Sequence, residues 1–218
     1  MTTILALDTS SGVASVAVYH GQVLAETSWR AGRHHSKTLL GVIDSVLKLA
    51  GVERTDLEAI ALASGPGSYS GLRVGASVAI GLGLSLGIEV AHVPTLDILA
   101  LAAGATNTSV RAAIEVGRGR YASALFGPAP TGFAQQSELI STDLPALLTL
   151  AAGECSLLVA DVDPAAQEAV GSDTLVRAHL APIAAGPRRA GFLAELAQTK
   201  LSSGAVAEDA GQLIYLPS

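Results

Sequence analysis

A single cysteine, Cys155, stands in the 218 residues. An internal disulfide is therefore excluded, and the usage suits a reducing compartment, so a cytoplasmic location is the expectation. Cys155 has no metal-ligating companion near it in the sequence and is expected to act as a small buried hydrophobe. Charge is scarce too. Only 15% of residues are charged and the formal net charge is −6, which argues against a broad electrostatic footprint on nucleic acid. The start, Met1-Thr2-Thr3 followed by Ile4-Leu5-Ala6-Leu7-Asp8, lacks a basic segment and meets an acid early, so no signal peptide is expected. The uncharged run 74–88 falls short of the ~20 residues that span a membrane. Rich in glycine, it reads as a buried helix of a soluble protein.

What the chain has in abundance is apolar surface. Half its residues are hydrophobic, which excludes extensive disorder and predicts that part of that surface is covered by a partner. The length fits one large domain or two small ones.

The order of elements is legible. Apolar runs at 4–7, 13–19 and 23–29, joined by Asp8-Thr9-Ser10-Ser11-Gly12 and His20-Gly21-Gln22, predict a three-stranded antiparallel meander. Ser36 is the expected N-cap of a helix whose apolar positions Leu39, Leu40, Ile43, Val46 and Leu47 recur at helical spacing. A strand at 57–64, a second helix from the glycine-rich turn, a strand at 90–93 and a helix at 95–103 capped by Thr95 complete a β-β-β-α-β-α-β-α unit. After the small polar linker 104–108 the pattern restarts, with strands at 110–116, 121–126 and 157–160 and helices within 144–152 and 191–201. This predicts an α/β protein of duplicated ribonuclease-H-like (actin-like ATPase) architecture with a degraded second half, divided into residues 1–105 and 106–218.

The centre of the sequence is Ser64-Gly65-Pro66-Gly67-Ser68-Tyr69-Ser70-Gly71-Leu72-Arg73-Val74-Gly75, set between a buried strand and a helix. It is not a Walker loop, since Gly71 is followed by Leu72-Arg73 rather than Lys-Ser/Thr. Nor is it a dinucleotide fingerprint: Gly65, Gly67 and Gly71 carry one residue too many, and Glu89 begins its strand instead of ending it. Two readings stay open, an anion-binding helix N-terminus and a turn whose glycines allow close packing.

Ile4-Leu5-Ala6-Leu7-Asp8-Thr9-Ser10, His35-Ser36 and the glycine-rich stretch together resemble the TsaB (YeaZ) family over residues 1 to about 103. The resemblance implies a subunit that is not the catalyst. It implies pairing with TsaD, a paralogue of the same fold that carries the metal and the threonylcarbamoyl-transfer site, and a TsaE-like ATPase that binds the pair. It also implies tRNA reached through the complex, modified at adenosine 37 where the tRNA reads codons beginning with A. Alone, such a chain is expected to form a homodimer, with no membrane attachment. The sequence departs from the family at Glu115-Val116-Gly117, where Asp-Ala-Arg is usual, and at Tyr215-Leu216-Pro217 near the end.

The residues themselves bear on the chemistry. The paralogue's His-x-x-x-His pair is missing: His34 is followed four residues on by Thr38, and His35 by Leu39. His20, His92 and His179 are scattered and read as ordinary packed or solvated side chains, so no metal is expected. Asp8, Thr9 and Ser10, with Gly65, Gly67 and Ser68, form the candidate nucleotide or anion site. The favoured reading of Asp8 is an Asx turn; no cofactor of the chain's own is expected, with ATP or ADP at the partner interface left open. Gly71, Gly75, Ala79, Gly83 and Gly87 make a bare ridge on the second helix, and Gly75, Gly81 and Gly83 together cost about 3 kcal/mol of helix stability. Close packing must offset that cost, on the sheet or on a partner. A helix apolar all round needs covering on every side. The predicted partner or dimer interface is therefore Leu39, Leu40, Ile43 and Leu47 of the first helix with Leu72, Arg73, Val74, Gly75, Val78 and Leu82 of the second. Aspartate at Leu40 or Val78 is expected to abolish association. Arg73 could meet loop carbonyls or a carboxylate across the interface, and Tyr69 could pack on the meander. The competing reading is a small actin-like nucleotide hydrolase or kinase that uses Asp8 and the loop 65–71.

Overall fold

The computed structural model describes residues 1–31, 35–104, 107–129, 132–154, 156–160, 190–204 and 213–214, leaving aside the side chains of 35–37 and 132. The expectations for Cys155, His34, His179 and Tyr215-Leu216-Pro217 lie outside the described residues. By contacts the chain falls into two compact units, Met1–Thr95 with Arg188–Tyr215, and Leu96–Pro187 with Leu216–Ser218.

The first unit holds a five-stranded sheet ordered β3-β2-β1-β4-β5. Its strands are β1 (Ile4–Asp8), β2 (Val13–Tyr19), β3 (Val23–Arg30), β4 (Ala59–Ala63) and β5 (Glu89–Val93). β1 runs antiparallel to β2 and parallel to β4, and β4 runs parallel to β5. The meander and its parallel continuation are as the sequence predicts. β1 and β4 are buried at every position, the pattern of central strands covered on both faces. β3, an edge strand, carries the polar and exposed residues of the sheet.

Helices α1 (His35–Ala50) and α2 (Tyr69–Leu86) pack beside each other on the sheet. Their shared core joins Leu39, Ile43, Val46 and Leu47 of α1 to Leu5, Leu7, Val16, Val18, Ile60 and Leu62 of the strands. α1 begins at His35, which puts Ser36 within its first turn rather than at the position before it. The predicted strand 57–64 is shortened at its start, because Glu53 and Asp56 cap a 3-10 turn over Arg54–Asp56 reciprocally. The last helix, α5 (Ala190–Ser203), packs on β1, β2, β4 and β5. Glu26 Oε1 accepts from Gly191 N at 3.0 Å, and Lys200 Nζ donates to His92 O at 3.1 Å. These contacts place α5 with the first unit, where the sequence reading assigned it to the second half.

The second unit repeats the plan with β6 (Val110–Gly117), β7 (Arg120–Ala129), β8 (Gly132–Gln135) and β10 (Leu157–Ala160) in the order β10-β6-β7-β8, while β9 (Ile140–Asp143) pairs with β7. β6 and β10 are parallel and β6–β7–β8 antiparallel. β8 and β9, four residues each, were not expected from the sequence. α3 (Thr95–Ala102) contributes Leu96, Leu99 and Ala100 to a core with β6 and β7, which moves the unit boundary to 95/96 from the expected 105/106. Thr95 does not cap α3 through its hydroxyl, which is buried without a hydrogen bond. α4 (Leu144–Gly153), capped by Asp143 Oδ1 accepting from Ala146 N at 2.9 Å, forms a further core with Tyr121 and Leu158. There Arg111, 2% exposed, makes a bidentate pair with Glu154 and donates to Ser123 Oγ at 3.1 Å.

Candidate functional site

The turn after β1 and the loop that launches α2 form one structure. Asp8 Oδ1 accepts from Ser10 N at 2.9 Å and from the Ser10 hydroxyl, an Asx-type arrangement. Thr9 Oγ1 donates to Gly71 O at 2.8 Å, and Ser68 N donates to Ser10 O at 2.7 Å. Ser68 Oγ in turn accepts from Gly71 N and caps α2. Asp8, Thr9 and Ser10 are at most 1% exposed. The turn is thus covered by the head of α2, and Asp8 Oδ1, Thr9 Oγ1 and Ser10 bond within the chain.

Glycine makes that seal. A Cβ at Gly71 would overlap the Thr9 carbonyl oxygen, and one at Gly75 the Thr9 hydroxyl. Further along, a Cβ at Gly83 would stand 2.7 Å from Val90 Cγ2. The ridge Gly71–Gly75–Ala79–Gly83 therefore faces the sheet of its own unit. Of the two ways to offset its conformational cost, packing on the sheet is the one present. Gly81 and Gly87 have nothing within 4 Å of a built Cβ, and Gly87, at φ +68°, terminates the helix in the left-handed conformation.

That rotation sorts the residues expected at a partner interface. Leu39, Ile43, Leu47 and Leu72 lie inside the chain's own core, and Gly75 lies on Thr9. Val74, Val78 and Leu82 are half-buried against the same core. Leu40 and Arg73 are exposed. The apolar surface left open on these helices is Leu40 and Leu49 on α1 (59% and 74% exposed) with Ile80 and Leu84 on α2 (43% and 80%). Leu49, Ile80 and Leu84 were missed because they fall outside the most regular part of the apolar repeat. At the head of the stripe Arg73 Nη1 donates to Tyr69 Oη at 2.9 Å and stacks 5.4 Å from the ring centroid. Both side chains are exposed, and Tyr69 pairs with Arg73.

Gly65 is buried, while Gly67 and Ser68 are half-buried. His20 Nδ1 sits 3.2 Å from Thr3 Oγ1. Among the described residues no group of three His, Cys, Asp or Glu is placed to hold a metal ion. On α1 the hydrogen bond and charge of Lys48, then those of Arg54, hold the Asp44 carboxyl below the usual carboxylate value. Glu115, Gly117 and Arg118 end β6 and open an exposed hairpin, with Val116 half-buried.

A family model described as "TsaD: tRNA N6-adenosine threonylcarbamoyltransferase" matches residues 13–124, just over half the chain. The TsaB protein ("tRNA threonylcarbamoyladenosine biosynthesis protein TsaB") of Haemophilus influenzae is 38% identical over 101 residues, 46% of this chain and 43% of the relative. That of Escherichia coli is 34% identical over 118 residues, 53% of this chain and 51% of the relative. The chain thus spans about half the length of the curated relatives it matches. A crystal structure from Pseudomonas aeruginosa, described as an uncharacterized protein with similarity to peptidase YeaZ, superposes over 100% of both chains with TM-score 0.78 at 26% identity. The sealed Asp8 turn, the actin-like sheet and these likenesses agree: the chain belongs to the threonylcarbamoyltransferase-related family that the model describes, on its TsaB (YeaZ) branch.

Proposed function

We propose that this chain is a non-catalytic scaffold subunit in the biosynthesis of threonylcarbamoyladenosine on tRNA. In this reading it docks a TsaD-like transferase of its own fold, and activates it, through the exposed stripe of α1 and α2. A TsaE-like ATPase binds the pair, and alone the chain uses the same stripe to form a homodimer. tRNA is met through the complex, any ATP or ADP belongs to the partner interface, and the setting is the cytoplasm. α2, 18 residues long and apolar enough by length and composition to cross a membrane, lies on β4 instead, with its glycine ridge against the sheet.

The observation that carries the reading is the combination on one helix. The face of α2 toward the chain closes the turn where a nucleotide phosphate would sit in an actin-like protein. The opposite face leaves Ile80 and Leu84 exposed, as Leu40 is on the neighbouring α1. Leu84→Asp and Leu40→Asp test it, since neither side chain is part of the core. Co-purification with the transferase and sedimentation of the chain alone are both expected to show association lost, with the melting temperature unchanged. Retained association would overturn the docking face. Asp8-dependent ATP hydrolysis by the purified chain, checked with Asp8→Asn, would support the hydrolase reading in its place.

A further inference from the structure

The loop that launches α2 is held from a place the sequence does not announce. Ile214 N donates to Ser64 O at 2.8 Å, capping the end of β4 from 150 positions away in the chain. A Cβ on Gly65, which sits at φ +103°, would stand 2.5 Å from Ile214 O and 3.2 Å from Leu72 Cδ1. The residue before, Leu213, packs on the core shared by α1, α2 and the sheet. Three further backbone bonds anchor the loop: Ser64 N donates to Val93 O (2.9 Å), Thr95 N to Gly65 O (2.7 Å) and Ser68 N to Ser10 O (2.7 Å).

We infer that Leu213–Ile214 is a strap that fixes the glycine loop and, through it, the head of α2 with its exposed Tyr69 and Arg73. The route is short. Ile214 sets the Ser64–Gly65 backbone, Gly65 abuts Leu72, and Leu72 is buried one residue before Arg73. Gly65 is required on two counts, its left-handed backbone and the space taken by the Ile214 carbonyl. The strap thereby couples the tail segment to the docking stripe, and this coupling rests on the docking reading above.

The test uses the full chain with two independent lesions. Ile214→Pro removes the donor to Ser64 O, and Gly65→Ala presses on the Ile214 carbonyl. Amide hydrogen exchange on the chain alone is expected to speed up about tenfold at Ser68, Gly71 and Leu72 in both variants, as an opened local unit requires. The amides of 110–114 should be unchanged, and Ile214→Ala, which keeps the N–H, should stay within about twofold of the parent. Parent-like exchange at Ser68–Leu72 in either lesion overturns the strap, as does equal acceleration throughout β1–β5. Sedimentation then reads the coupling: association weakened in Ile214→Pro supports it, and association at the parent level with faster exchange overturns it. Should Leu84→Asp leave association intact, the docking face fails, while exchange still decides the strap because it needs no partner.

Discussion

The two units begin alike and diverge at their first turn. β1 of the first unit and β6 of the second both run antiparallel to the strand that follows and parallel to a later one. After β1 the chain makes a turn of Asp8, Thr9 and Ser10 that is completely covered, because α2 sets its bare face on Thr9. After β6 the turn Gly117-Arg118-Gly119 projects into solvent, with all three residues at positive φ and nothing within 4 Å of a Cβ built on either glycine. One topology thus yields a buried polar joint in one unit and an exposed hairpin in the other. In the first unit the cover comes from the head of α2. Polar residues at the end of a central strand are structural when a helix head engages them, and the glycines of that helix are what allow the approach.

The comparison can be broken from either side. The largest effect is expected from Gly71→Ala, whose Cβ would overlap backbone. A loss of about 3 kcal/mol or more, seen as early melting of the amides of β1–β5 while those of β6 and β7 persist, would show that the joint holds the first unit. Next is Glu154→Ala in the second unit, which strands a buried Arg111. Because Glu154 is 27% exposed, the cost is discounted to about 2–3 kcal/mol, measured as loss of protection confined to β6, β7 and α4. Gly81→Ala sharpens the contrast within α2. With open space around the site, the helix should gain about 1 kcal/mol, and thermal melting checks the sign. The smallest effect concerns Asp44. Its folded pKa is lowered, so its contribution to stability is present above the ordinary carboxylate range and is lost as pH falls through the lowered value. An NMR titration of Asp44, with Lys48→Met expected to return it toward normal, tests this.

Much of this was written plainly in the chain. The meander, the crossover helices and the actin-like order followed from short apolar runs separated by glycine-rich and polar turns. β8 and β9 were hidden because four-residue strands with sequences such as Ile-Ser-Thr-Asp owe their pairing to β7 rather than to propensity. The apolar stripe was detectable in outline, but periodicity alone could not say which of Leu39 and Leu40 points inward. Ile214 carried no signal, since a single backbone N–H bonded across 150 positions leaves no mark on composition.

By itself the sequence determined which segments are strands and helices, the family they belong to, and that α2 must have a close neighbour, because backbone propensity, apolar period and glycine content are local properties. Only the tertiary structure decided what that neighbour is, which unit owns α5, and which leucines remain for a partner. Those outcomes depend on which surfaces exclude one another in space, and a missing Cβ acquires meaning only from the atom that occupies its place.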